Sequence, residues 1–523
     1  MACKSESNSV EEVDEEHYQQ QEAALDAPSH HPSAPPDELF DISTTVDPSY
    51  IISLIRKLIP TGCGNDSDVH GLDATGVHGK ESNADHMEQL GVSKSFENGT
   101  EKIHMIDDLD DKDSSIRCEQ PGVPAGEDVW EDCGCILWDL AANRTHAELM
   151  VKNLVLEVLL QHLMVSESAR IREICLGIIG NLACHVIPME HIVSTNRLIE
   201  IIVDQLFTDD TQCLCEACRL LTSGLQGAQC STWVEVLQSE QLLGRIIWVA
   251  GNTLNPQLLE KSVGLFLAIL ESQKEVSDVL LPSLMTLGLT NLLVSLLASE
   301  MTKLSGERIP ERYSVLDVIL RAIEVLSTVD CLSQEICCNK ELFQLVCDLV
   351  KLPDKAEVFN SCTTAAVLIA NILSDVPDFA SDISHDLTFL QGLLDIFPLV
   401  SDDMEAQNAL WSVTARLLVR VKENEMDLSY LYQYVLVLAS KVDLIEDILL
   451  DQKLDNQNED SKGSTVSDIK SSSRSITLQR IISILNKWTA SKECHELDEV
   501  MEEHSTVDVN VGRLLDCCCK HIE

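Results

Sequence analysis

The chain has 523 residues, 45% hydrophobic and only 4% aromatic, a balance that suits helices stacked on aliphatic ridges better than a β-sandwich. Acidic residues number 86 against 37 basic ones, and the formal charge of −49 repels phosphate backbones, which argues against nucleic acid as a direct ligand. Apolar runs such as "GLTNLLVSLLAS" are too short and interrupted to span a membrane, and none suggests a membrane partner.

Residues 1–47 are acidic and polar, with "HHPSAPP" inside, and hold too little apolar surface to offset the entropy of ordering them, so a disordered acidic tail is expected. The segment "DPSYIISLIRKLIP" then predicts one amphipathic helix over 48–59. Tyr50, Ile51, Leu54, Ile55, Leu58 and Ile59 form its stripe, Pro48 opens it and Pro60 stops it, and it is expected to dock on the main body. Residues 60–127 return to Gly, Ser, Asn and Asp and read as a disordered acidic linker. Residues 1–127 hold 27 acidic and 8 basic residues, so the remainder is acidic as well, and basic protein partners are the natural complement.

From about residue 128 to 491 helical periodicity is continuous and repeats. Aligned apolar helix ends fall at Leu140, Leu182, Leu225, Leu270, Leu326, Ile372, Leu417 and Leu485, at intervals of 42, 43, 45, 56, 46, 45 and 68 residues. The two long intervals contain polar insertions, "SEMTKLSGERIPER" and a serine-rich stretch near 453–475 expected to be disordered and suited to phosphorylation. Without roughly 11 and 23 residues of these, the period is about 45, that of armadillo and HEAT repeats. Each unit of two or three helices cannot bury its own apolar face, so an all-α, armadillo/HEAT-like right-handed helical solenoid is expected. The segment 492–523 reads as a weakly ordered acidic tail without a convincing partner.

In "SARIREICLGIIGNLACH" the set Ile171, Ile174, Cys175, Ile178, Ile179, Leu182 and Ala183 forms one core-facing stripe. Glu173, Gly177, Gly180 and Cys184 fall opposite, with Asn181 beside them. Two interior glycines cost a helix about 1 kcal/mol each, so something must lie against them, either a neighbouring helix or a partner chain. "GIIGNLA" resembles the third helix of an armadillo repeat. More narrowly, "RIREICLGIIGNLACH", preceded by "LWDLAANR" and followed by "LFTDDTQCLCEACRLLTSGLQ", is similar to the serum amyloid A-like 1 protein family. That resemblance implies an armadillo-type fold, no enzyme, and a nuclear, growth-related setting.

Armadillo carriers of import peptides use a ladder of Asn on such helices, with Trp one turn earlier. The corresponding positions are Asp139, Asn181, Gly224, Ile269, Val325, Asn371, Arg416 and Ile484, and Trp411 is followed four residues later by Ala415 rather than Asn, which disfavours an importin-like carrier. The candidate protein-binding groove comprises Asp139, Glu173, Gly177, Gly180, Asn181, Asn371, Trp411 and Arg416. The bland alternative for each polar member is a solvated helix position.

Cysteines number 20 and lie in apolar helical runs behind an N-terminus without an apolar signal segment, which predicts reduced thiols and an intracellular protein of nucleus or cytoplasm. In "CLCEAC", Cys215 and Cys218 share a helix face while Cys213 diverges, so buried small hydrophobes are expected rather than a metal site. No GxSxG, HExxH or phosphate-loop pattern occurs, and His185 and His191, flanking Pro188 in an expected loop, lack a nucleophile. No catalytic residue, metal or cofactor is assigned. The reading is a non-catalytic protein–protein interaction scaffold. A transport or chaperone-like adaptor for basic nuclear proteins is the alternative, and a cryptic hydrolase a distant one.

Overall fold

The computed structural model describes residues 46–59, 125–306, 309–330, 332–456, 467–494 and 502–522. The expected tail before residue 46 and the linker 60–124 lie outside these, as do residues 457–466 of the expected serine-rich insertion.

Helix α1 (Pro48–Leu58) buries Ile51, Leu54, Ile55 and Leu58. Helix α2 (Ala125–Ala141) follows, and then the chain runs in threes. The first three sets are α3 (Arg144–Lys152), α4 (Val155–Val165) and α5 (Ala169–Ala183); α6 (Val186–Ser194), α7 (Leu198–Asp204) and α8 (Thr211–Gln226); α9 (Cys230–Leu237), α10 (Glu240–Asn252) and α11 (Pro256–Glu271). Next come α12 (Lys274–Thr286), α13 (Leu289–Gly306) and α14 (Tyr313–Ser327), then α15 (Ser333–Cys337), α16 (Lys340–Val350) and α17 (Phe359–Asp375). The last sets are α18 (Phe379–Ile383), α19 (Leu387–Leu394) and α20 (Met404–Arg420), and α21 (Leu428–Ser440), α22 (Val442–Asn456) and α23 (Ser467–Cys494), closed by α24 (Glu502–Ile522). No strand occurs among the described residues.

The third helix of each set packs on the third helix of the next, in one unbroken row α2–α5–α8–α11–α14–α17–α20–α23. Helices α10, α13, α16 and α19 pack in turn as a second row. Seven of the eight aligned apolar positions are buried, Leu182, Leu326, Ile372, Leu417 and Leu485 completely, while Leu140 in the first row helix is half-buried. The repeat also sets the caps. Ser168, Asp210, Asn255 and Asp403 each precede a row helix and accept a hydrogen bond from a backbone N–H of its first turn, worth about 1 kcal/mol apiece.

In three of the seven sets the turn between first and second helices holds a left-handed residue. Leu154 (φ 63°) and Arg197 (φ 64°) occupy it in the first two sets, and Gly288 (φ 90°) in the fourth. The polar stretch near 300 continues α13 as helix to Gly306. It is held by Glu300, whose buried carboxylate accepts from Arg312 Nε and Nη2 at 2.6 Å each and from Lys303 Nζ at 2.8 Å.

Three expectations need correction. The tail after 492 is not partnerless: α24 packs against α21, α22 and α23, burying Val511, Leu514, Cys517 and Cys518. Of the insertion expected at 453–475, α22 reaches Asn456 and α23 begins at Ser467. His185 and His191 do not flank a loop, because Pro188 sits in the first turn of α6, where its missing N–H costs nothing, with His185 at the N-cap. The His185 ring Nε2 lies 3.1 Å from the carbonyl of Ala141 at the end of α2.

Candidate functional site

Most polar positions expected to face a partner bind the neighbouring repeat instead. Asn181 donates from Nδ2 to the Trp138 carbonyl (2.9 Å) and accepts on Oδ1 from Arg219 Nη1 (3.1 Å). Arg219 also donates to the Gly177 carbonyl (3.2 Å) and pairs with Glu216 at 2.5 Å. Asn371 donates to Ser327 Oγ (3.0 Å), and Arg416 donates to the Leu373 carbonyl (2.7 Å) and Ser374 Oγ (3.1 Å). In these six inter-helix ties the partners stand 38–44 residues apart, about one repeat.

Gly177 and Gly180 are buried rather than open floor. A methyl on Gly177 would overlap the Trp138 indole from α2, and one on Gly180 would meet the Arg219 guanidinium from α8. The glycines therefore admit one large side chain from each flanking row helix. Trp411 is also buried, its ring 4.9 Å from that of Phe397. Glu173 is bound to Arg170 at 2.7 Å. Of the eight groove candidates only Asp139 is fully exposed. Arg219, the hub of the Gly177–Asn181 network, was not singled out by the sequence reading. Its signal was an Arg three residues after Glu216, one repeat beyond Gly177.

The three thiols of "CLCEAC" are buried, and burial pushes Cys213, Cys215 and Cys218 up to about 12, which keeps them protonated and unreactive at neutral pH. Among the described residues no group of three or more His, Cys, Asp or Glu is placed to hold a metal. No single described helix is long and apolar enough to cross a membrane.

What the row leaves open is set by charge. Its eight helices carry 15 acidic and 12 basic residues, close to neutral in a chain of −49, and the two ends differ in sign. Helix α2 has five acidic residues and no basic one, whereas α20 and α23 together have three acidic and seven basic. On α2, Asp128, Asp132 and Asp139 are exposed at spacings that put them on one stripe, beside exposed Val129 and Ile136. None of these three carboxylates makes an ion pair among the described residues.

A row of third helices stacked at a period near 45, tied repeat to repeat, defines an all-α solenoid of the armadillo type. The chain's curated homologues carry the name SAAL1, serum amyloid A-like 1. Protein saal1 of Danio rerio is 26% identical over 43% of this chain and 49% of its own length. Protein SAAL1 of Homo sapiens is 30% identical over 24% and 27%, and that of Mus musculus 24% identical over 48% and 57%. The chain thus spans about half, or less, of the first relatives it matches. No family model matches. Among solved structures, an engineered protein aligns over 75% of this chain and 85% of its own with 16% identity and a TM-score of 0.45. A designed armadillo repeat protein in complex with peptide (KR)4 aligns over 46% and 94%, with 13% identity and a TM-score of 0.37.

Proposed function

We propose that the chain is a non-catalytic interaction scaffold that binds basic protein segments at the acidic end of its row, on the α2 stripe. The single observation behind this reading is that Asp128, Asp132 and Asp139 present three carboxylates on one exposed face with no cation paired to them among the described residues. Their field speeds encounter with a Lys/Arg-rich segment, and Val129 and Ile136 beside them supply the apolar contact that holds it. The nearly neutral middle of the row supports a localised site better than an acidic trough along its whole length. A nuclear, growth-related setting agrees with basic partners and belongs to the same proposal.

The test is affinity capture from cells with wild type, with Asp128→Lys/Asp132→Lys/Asp139→Lys, and with Arg420→Glu at the opposite end as a control. Loss of basic partners in the triple variant alone supports the reading. An unchanged partner set, with the fold intact by circular dichroism, overturns it.

A further inference from the structure

We infer that the opposite end of the row is a second docking surface, for a peptide segment that carries a carboxylate beside an aliphatic side chain. The surface is a groove of about 290 Å³ between α17–α18, α20 and α23, and Arg416, Arg420, Ser412, Ser473, Val419 and Ile476 contribute to its lining. Among the described residues no acidic side chain lines it. Arg416 is half-buried and held rigidly by the Leu373 carbonyl and Ser374, and among the described residues it makes no ion pair, so its charge is uncompensated. Arg420 is exposed, donates to the Pro377 carbonyl at 3.4 Å, and among the described residues pairs only with Asp378, at 3.6 Å, whose side chain is 94% exposed. That contact is too solvated to neutralise it.

Two guanidiniums about one helical turn apart match a carboxylate in geometry and sign, and a rigidly held donor loses little freedom on binding. Val419, 52% exposed, and Ile476 offer the aliphatic neighbour its contact. At physiological salt the screening length is about 8 Å, so this local pair outweighs the chain's distant acidic charge. The inference stands apart from the α2 stripe, at the other end of the row.

The experiment is fluorescence anisotropy on the full chain with a labelled peptide of alternating Glu and Leu, against the same peptide with Lys for Glu. Wild type is expected to bind the Glu peptide in preference. Arg420→Glu should weaken it by about tenfold or more, and Asp378→Ala should strengthen it by removing the competing carboxylate. Arg416→Lys, which keeps the charge but loses the fork, should weaken it less than Arg420→Glu. Equal binding of both peptides, or indifference to Arg420→Glu in a variant with unchanged melting temperature, overturns the proposal. So does a wild-type dimer dissolved by Arg420→Glu, since a second copy would then fill the groove.

Discussion

The Trp138 indole of α2 lies over Gly177 of α5, on the side of that helix that a single-helix wheel assigns to solvent. The glycine's cost in helix propensity, about 1 kcal/mol, is thereby exchanged for a large aromatic seated between neighbouring repeats. Gly177→Ala gains propensity but forces the ring aside, so a net destabilisation of about 1–2 kcal/mol is expected in urea unfolding. In a Trp138→Ala background the same change should be neutral or stabilising. Independent effects in the two backgrounds would show that the contact does not govern the position.

Arg197 holds a left-handed backbone at an exposed turn, a conformation that costs a non-glycine residue about 1 kcal/mol or more. Arg197→Gly should raise stability by roughly 0.5–1 kcal/mol after glycine's larger unfolded-state entropy is subtracted. Arg197→Ala, which keeps the strain, should not. Thermal melts of the two variants side by side decide it.

Burial pushes the Glu300 carboxyl upward, but the bonds from Arg312 and Lys303 outweigh it and hold the group below its ordinary value. A depressed folded-state pKa means a contribution present at neutral pH and lost as pH falls through that folded value, below the usual carboxylate range. Among the described residues Arg312→Met leaves the buried carboxylate with Lys303 alone, and it should cost about 3 kcal/mol at pH 7. Acidification should narrow the gap between variant and wild type as Glu300 takes up a proton. A gap independent of pH would assign the loss to packing.

The period and the core stripe were legible because both obey helical geometry, and the eight anchors placed from sequence all lie in the row helices. The roles of Asn181, Asn371 and Arg416 were not. A helical wheel gives one core direction, whereas a row helix is also packed on both flanks, so its polar positions meet a neighbouring helix before they meet a partner. The burial of α24 was hidden for a different reason. Of the four residues it buries among those described, two are Cys517 and Cys518, small weakly apolar side chains that do not by themselves mark a core-facing stripe. The sign reversal along the row appears only after the row is assembled, since whole-chain charge averages α2 against α23.

The most direct measurement is titration of a labelled Lys/Arg-rich peptide against the full chain, with wild type and Asp128→Lys/Asp132→Lys/Asp139→Lys compared at several salt concentrations. Wild type should bind with affinity that falls as salt rises, and the triple variant should bind at least about tenfold more weakly with a flatter salt slope. Equal affinity and equal slope for a folded triple variant would contradict the assignment of the α2 stripe as the binding face.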